Sequence, residues 1–211
     1  MAGHFDVKVD HFTTVNALGN FTVTLIKSDV EKVSVLNDDE ELKDEKILVE
    51  VDGSELKIKI KNDAYKEREL EVIVYYKSLT EIHSKRGIRL TVKETLEADQ
   101  ITLNSYSGGK IKAKVMCETL KCSISKGGSI RVEGQSSIAE YKISAGGTIA
   151  SVNNKADKIL AKVSMGGEVI CSANGKLDVE ISSGGTVSYK GDPTEYSEKI
   201  TLGGKVEKLK K

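Results

Sequence analysis

Six carboxylates fall within nine residues at Asn37-Asp38-Asp39-Glu40-Glu41-Leu42-Lys43-Asp44-Glu45. Clustered oxygens are what a hard cation such as calcium requires. This run lacks the glycine-centred spacing of an EF-hand loop, however, and acidic runs ordinarily form a solvated face. Lys85, Arg86, Arg89 and Lys93 are the converse cluster, readable as an anion-binding edge or as charges that keep an exposed strand edge soluble. The histidines are His4, His11 and His83; the first two could share a metal but have no third ligand nearby. Cys117, Cys122 and Cys171 form neither a CxxC unit nor a metal quartet, and three thiols cannot all pair. A polysaccharide lyase or hydrolase would need paired carboxylates, or a carboxylate beside Arg or calcium, on one face. The acids of the second half, Glu140, Asp157, Glu168, Asp178 and Glu180, are scattered instead, and no Ser-His-Asp order is present. The pattern therefore predicts no catalytic residue, no metal and no cofactor.

Composition narrows the partners further. The chain of 211 residues carries 32 basic and 32 acidic side chains, a neutral balance that argues against nucleic acid or an anionic membrane as partner. With no Trp and only three Phe, it has no tryptophan shelf on which a sugar could stack. No apolar run reaches the roughly 20 residues of a membrane helix. The start, Met1-Ala2-Gly3-His4-Phe5, has neither the basic nor the apolar region of a secretory signal, so the chain reads either as internal or as one whose leader has been removed.

The elements that must position these side chains are strands. Over residues 4–92 apolar and polar positions alternate, predicting strands at 12–17, 21–27, 32–36, 47–51, 56–61, 70–76 and 79–83. Turn signals separate them at Gly19-Asn20, Asp52-Gly53-Ser54 and Asn62-Asp63, with a tight hairpin over 49–58. The acidic run 37–45 is expected to be helix or loop.

From residue 105 onward a repeat takes over. Glycine pairs stand at Gly108-Gly109, Gly127-Gly128, Gly146-Gly147, Gly166-Gly167, Gly184-Gly185 and Gly203-Gly204, so that successive first glycines lie 19, 19, 20, 18 and 19 residues apart. The aligned units read [IV]-[ST]-x-G-G-x-[IV], with Ser125, Ser144, Ser164, Ser182 and Thr201 two positions before the pair. Only the first unit, entered through Ser105-Tyr106, departs from this at its leading positions. A single-glycine version precedes it at Ile82-His83-Ser84-Lys85-Arg86-Gly87-Ile88. A unit of this size cannot bury its apolar face alone, but stacked units can. The expected fold is all-β, a narrow β-solenoid with coils of about 19 residues, each coil a strand, a glycine corner, a second strand and a return loop. The serine hydroxyls are expected to satisfy corner backbone groups. The alignment places Cys122 and Cys171 in the core and Cys117 in a return loop. Residues 4–95 read as a β-rich region capping or continuous with the solenoid, and 96–211 as the solenoid itself.

The chain also resembles the auto-transporter adhesin family that carries the head GIN domain, found in envelope proteins of Bacteroidetes. The likeness runs from Phe12-Thr13-Thr14-Val15 through Leu56-Lys57-Ile58 and Leu79-Thr80-Glu81-Ile82 to the glycine units, and ends with Tyr189-Lys190-Gly191-Asp192-Pro193. The corners here read Ser-x-Gly-Gly, where family members often show Gly-Ser-Gly. The resemblance implies a right-handed β-helix, a location outside the cytoplasm and no catalytic residues. The expected function is a non-catalytic adhesin or envelope-binding module, with an envelope glycan, a protein or a second copy as partner. The alternative is a polysaccharide-active lyase or hydrolase. The terminal lysines Lys205, Lys208, Lys210 and Lys211 are expected to discourage end-to-end stacking. Any binding site should lie beside the corners, in the variable columns and return segments.

Overall fold

The computed structural model describes residues 3–62 and 66–210, so Met1-Ala2, the second residue of the Asn62-Asp63 turn and Lys211 lie outside the described residues. Strand makes up 72% of the chain, wound into a β-solenoid of about seven turns. The first half supplies eight short strands: β1 (Gly3–Lys8), β2 (Thr14–Leu18), β3 (Thr22–Lys27), β4 (Lys32–Asn37), β5 (Ile47–Asp52), β6 (Glu55–Ile60), β7 (Leu70–Tyr76) and β8 (Glu81–Lys85). The second half supplies five long ones: β9 (Arg89–Tyr106), β10 (Lys110–Ser125), β11 (Ser129–Ile143), β12 (Thr148–Met165) and β13 (Glu168–Ser183). It ends with β14 (Thr186–Lys190), β15 (Glu195–Leu202) and β16 (Lys205–Lys208).

The long strands correct one expectation. From β9 to β13 no return loop separates two strands within a coil; β10 runs unbroken from corner to corner, and Cys117 lies inside it, whereas residues 191–194 do form such a segment between β14 and β15. A straight strand of this length would span about 50 Å at roughly 3.3 Å per residue, so it must bend. The bend shows as a slip in alternation, with Ile111, Ala113 and Val115 buried before it and Leu120, Cys122 and Ile124 after it. A loop is unnecessary because the ladder to the next coil continues around the bend, with Cys117 opposite Ser136 and Thr119 opposite Ile138. Main-chain groups at the turn are thus satisfied by the neighbouring coils.

The same economy governs the corners. The amides of Gly127, Gly146 and Gly184 donate to the carbonyls of Ala145, Met165 and Gly203 in the next coil, at 2.9, 3.0 and 3.0 Å. Ser125, Ser144, Ser164 and Ser182 are half-exposed, and among the described residues their hydroxyls make no bond to a corner. The hydroxyls that do so stand one position earlier and are buried. Ser105 donates to the carbonyl of Gly109 at 2.6 Å, and Ser84 to that of Ile88 at 3.0 Å, which makes the single-glycine unit at Gly87 a true coil of the stack.

Stacking order departs from chain order at the start. Val15 of β2 lies between Leu56 of β6 and Ile82 of β8, and Val23 of β3 between Val72 of β7 and Leu90 of β9. The chain therefore builds its second coil first, adds the outermost coil beside it, and crosses back to continue. Beyond that outermost coil the pairing turns antiparallel: β5 on β6 through the expected hairpin, β4 on β7, and β1 on β4.

The acidic run closes over this end. Asn37 donates to the carbonyl of Leu42 and to Asp44, both at 2.7 Å, and a single 3₁₀ turn spans Asp44–Lys46. Asp39 meets the buried guanidinium of Arg68 at 3.1 Å. Burial alone would raise the Asp39 carboxyl, but the Arg68 hydrogen bond, the Glu41 and Leu42 amides and the Arg68 charge outweigh it and hold it below its ordinary value. A depressed folded value means stability present above the unfolded value of about 3.9 and lost as pH falls through the folded one. Asp39→Asn is expected to cost about 1–2 kcal/mol near neutral pH. Urea melts across the acid range check this: the loss should shrink as Asp39 of the parent protonates.

Candidate functional site

The side chains singled out for chemistry do not converge. Arg89 pairs with Glu67 at 3.0 Å, whereas Lys85 lies over the Tyr106 ring at 5.6 Å, so these two cations are engaged with different partners. His4 contacts Asp38, His11 contacts Glu31, and His83 sits in a third place, 3.1 Å from Glu81 and stacked on Tyr106. Burial holds His83 below the ordinary imidazole value against the raising pull of Glu81. Cys122 and Cys171 are fully buried in apolar columns, and all three thiols are free. Burial pushes Cys117 up to about 11 and Cys171 up to about 12, so they remain thiols at neutral pH. Glu180 is tied to Lys162 at 2.8 Å and Asp178 accepts from Ser197 at 2.6 Å. Among the described residues no three His, Cys, Asp or Glu side chains are placed to hold a metal ion.

What the fold builds instead follows from unequal coil lengths. The coil from Gly146 to Gly166 is the 20-residue one, and it stacks on the 18-residue coil from Gly166 to Gly184. Corners and flat faces remain in register, with Ser151 opposite Cys171 and Ile159 opposite Leu177, so the mismatch is absorbed at the bend. Between Ser151 and Ala156 the β12 chain bulges, while β13 spans the same stretch of ladder from Cys171 to Ala173. Main-chain groups of residues 152–155 thereby leave the ladder on that side, as is usual at bulges.

A groove of about 420 Å³ opens there, across three coils. Its walls carry the amides of Gln135, Asn153 and Asn174, the hydroxyls of Ser136 and Ser172, the Lys155 ammonium and the Asp157 carboxylate. The volume lies within the roughly 300–1,000 Å³ of small-ligand sites. A buried polar layer fixes the floor. Asn154, 1% exposed, turns inward and donates to Ser136 at 3.0 Å and to the Tyr141 hydroxyl at 3.4 Å. Burial raises the Tyr141 hydroxyl well above the ordinary phenol value, so it stays protonated. On the far side the Asp192 amide donates to Asn174 at 3.4 Å. The groove thus offers several donors and acceptors, of which Ser136 and Asn174 are held by hydrogen bonds, and a single carboxylate. Such a set can hold a polar ligand, whereas glycosidic cleavage by two carboxylates needs a second acid. Of the groove residues, sequence reasoning singled out only Asp157, as one scattered acid; the signal for the rest was the 20/18 spacing.

Comparison with known proteins agrees with the fold. A putative adhesin from Parabacteroides merdae shares 19% identity, with a TM-score of 0.78 over 99% of this chain and 96% of that one. A putative adhesin from Bacteroides fragilis shares 20%, with a TM-score of 0.83 over 99% and 97%. A putative lipid binding protein from Parabacteroides distasonis shares 23%, with a TM-score of 0.77 over 99% and 97%. No curated protein matches the chain. The family model described as "Putative auto-transporter adhesin, head GIN domain" matches residues 11–193, and to that family this chain belongs.

Proposed function

We propose that this protein is a non-catalytic, extracytoplasmic binding module that holds a polar ligand, a cell-envelope glycan or a protein segment, in the groove at the coil bend. The supporting observation is the groove itself: amides, hydroxyls and one pair of opposite charges on a bend braced from within by Asn154. Such neutral donors and acceptors suit ligands rich in hydroxyl or amide groups. A lipid is the poorer fit, because the coil interior is filled by its own side chains and the groove exposes more polar than apolar surface. Family membership supports the adhesive role and the envelope location. No helix of the described residues is long and apolar enough to cross a membrane.

Glycan-array and pull-down experiments on envelope material test this, using the parent and an Asn153→Ala/Lys155→Ala double variant. Both side chains are exposed, so the variant should melt like the parent. The parent is expected to bind one partner saturably, and the double variant about ten- to a hundredfold more weakly, the equivalent of two lost hydrogen bonds. Absence of any saturable partner, or equal binding by the variant, refutes the assignment. Release of unsaturated sugar from a polysaccharide, followed by absorbance, would make the protein a lyase.

A further inference from the structure

The last coil of the described residues ends in an open edge. β15 pairs only with β13, and all eight of its residues are exposed, including Tyr196 at 45%, Ile200 at 39% and Leu202 at 72%. Tyr196 and Ile200 continue the buried columns of Leu177 and Ile181, to which they stand opposite. An apolar strand edge of this kind ordinarily recruits another strand. The column between them breaks the pattern: after Leu103, Cys122, Tyr141, Ala161 and Val179, all buried, its next member is Glu198. Of the terminal lysines, Lys205 pairs with Glu207 and Lys208 with Asp192, which offsets their charge.

Glu198 is the middle inward residue of the edge, and the Tyr196 hydroxyl donates to it across the exposed face. A strand added in phase would enclose this carboxylate between two apolar columns. A second copy docking head to head in antiparallel phase centred on that residue would bring Glu198 against Glu198. Docking head to tail would set it against the opposite end of the solenoid, where β5 pairs only with β6 and offers Ile47, Val49 and Val51 inward. Either way a carboxylate is buried without a cation, which costs more than the added strand contacts return.

We infer that Glu198 closes the exposed edge of β15 to a second copy of the chain. Its action is local, and it leaves the lateral faces and the bend groove free for other partners.

Light scattering coupled to size exclusion tests this on the parent, Glu198→Val, Glu198→Val/Ile200→Asp, and Glu195→Val as a control that removes an acid of the same strand outside the inward columns. The parent and Glu195→Val should be monomeric. Glu198→Val should associate about a hundredfold more tightly or better, and adding Ile200→Asp should restore the monomer. The positions are exposed, so circular dichroism should show the same fold throughout. A monomeric Glu198→Val, an associating parent, or association that survives Ile200→Asp overturns the inference.

Discussion

Gly147→Val will unfold at a temperature lower than the parent by roughly 10 °C, a loss of about 3–5 kcal/mol. Two costs combine. Gly147 has φ +98°, a conformation that an L-residue, and a β-branched one above all, rarely adopts. A Cβ there would also stand 2.8 Å from the Gly128 carbonyl oxygen and 2.8 Å from the Ile124 methyl of the coil beneath. The neighbouring Gly146 separates these costs: at φ +62° it also needs a left-handed backbone, but a Cβ on it would meet nothing within 4 Å. Gly146→Ala should therefore lose only about 1 kcal/mol, the backbone cost alone. Thermal or urea melts of the two variants measure the difference. If Gly147→Val melts like the parent, the corners do not stack as described.

The second large effect belongs to the bend. Gly134 stands opposite Val115 in the ladder, at φ +121°, and a Cβ there would lie 2.0 Å from the Val115 carbonyl oxygen. No flexible side chain can yield, because the contact is backbone. Gly134→Ala should cost about 3–5 kcal/mol, and it should also weaken the groove, whose wall begins at Gln135. Gly175 isolates the clash, since its φ is ordinary while its Cβ would come within 2.1 Å of the Asp157 carbonyl oxygen. Gly175→Ala should lose less than Gly134→Ala by about the 1–2 kcal/mol of a left-handed residue. Equal stability of parent and Gly134→Ala would mean that the bend is not where the register puts it.

Much of this architecture was legible from spacing. The glycine period and the [IV] columns placed Cys122 and Cys171 in the core, and the single glycine at Gly87 marked a coil, because local φ requirements and period-two burial leave their mark on each residue separately. The return segment departs from its local signal for the opposite reason. Polar residues around Cys117 look like a loop, yet the strand continues because its hydrogen bonds run to the next coil, a non-local condition. At the serines two positions before each glycine pair, carbonyls of the next coil accept from the corner amides instead, while Ser84 and Ser105 bond to corner carbonyls from a buried position.

The candidate site was less visible. Unequal coils of 20 and 18 residues stand in the chain for anyone to count, but a length difference becomes a groove only when the corners and flat faces hold register and the surplus is forced into the bend between Ser151 and Ala156. Pairing alone shows that Val15 lies between Leu56 and Ile82, since an alternating strand fits equally well beside any other. By itself, then, the amino-acid sequence determined the coil, its corners and its inward columns, which rest on torsion angles and alternation within one unit. The stacking order, the groove and the exposure of Glu198 on β15 were decided by the tertiary structure, because each depends on which coil lies next to which.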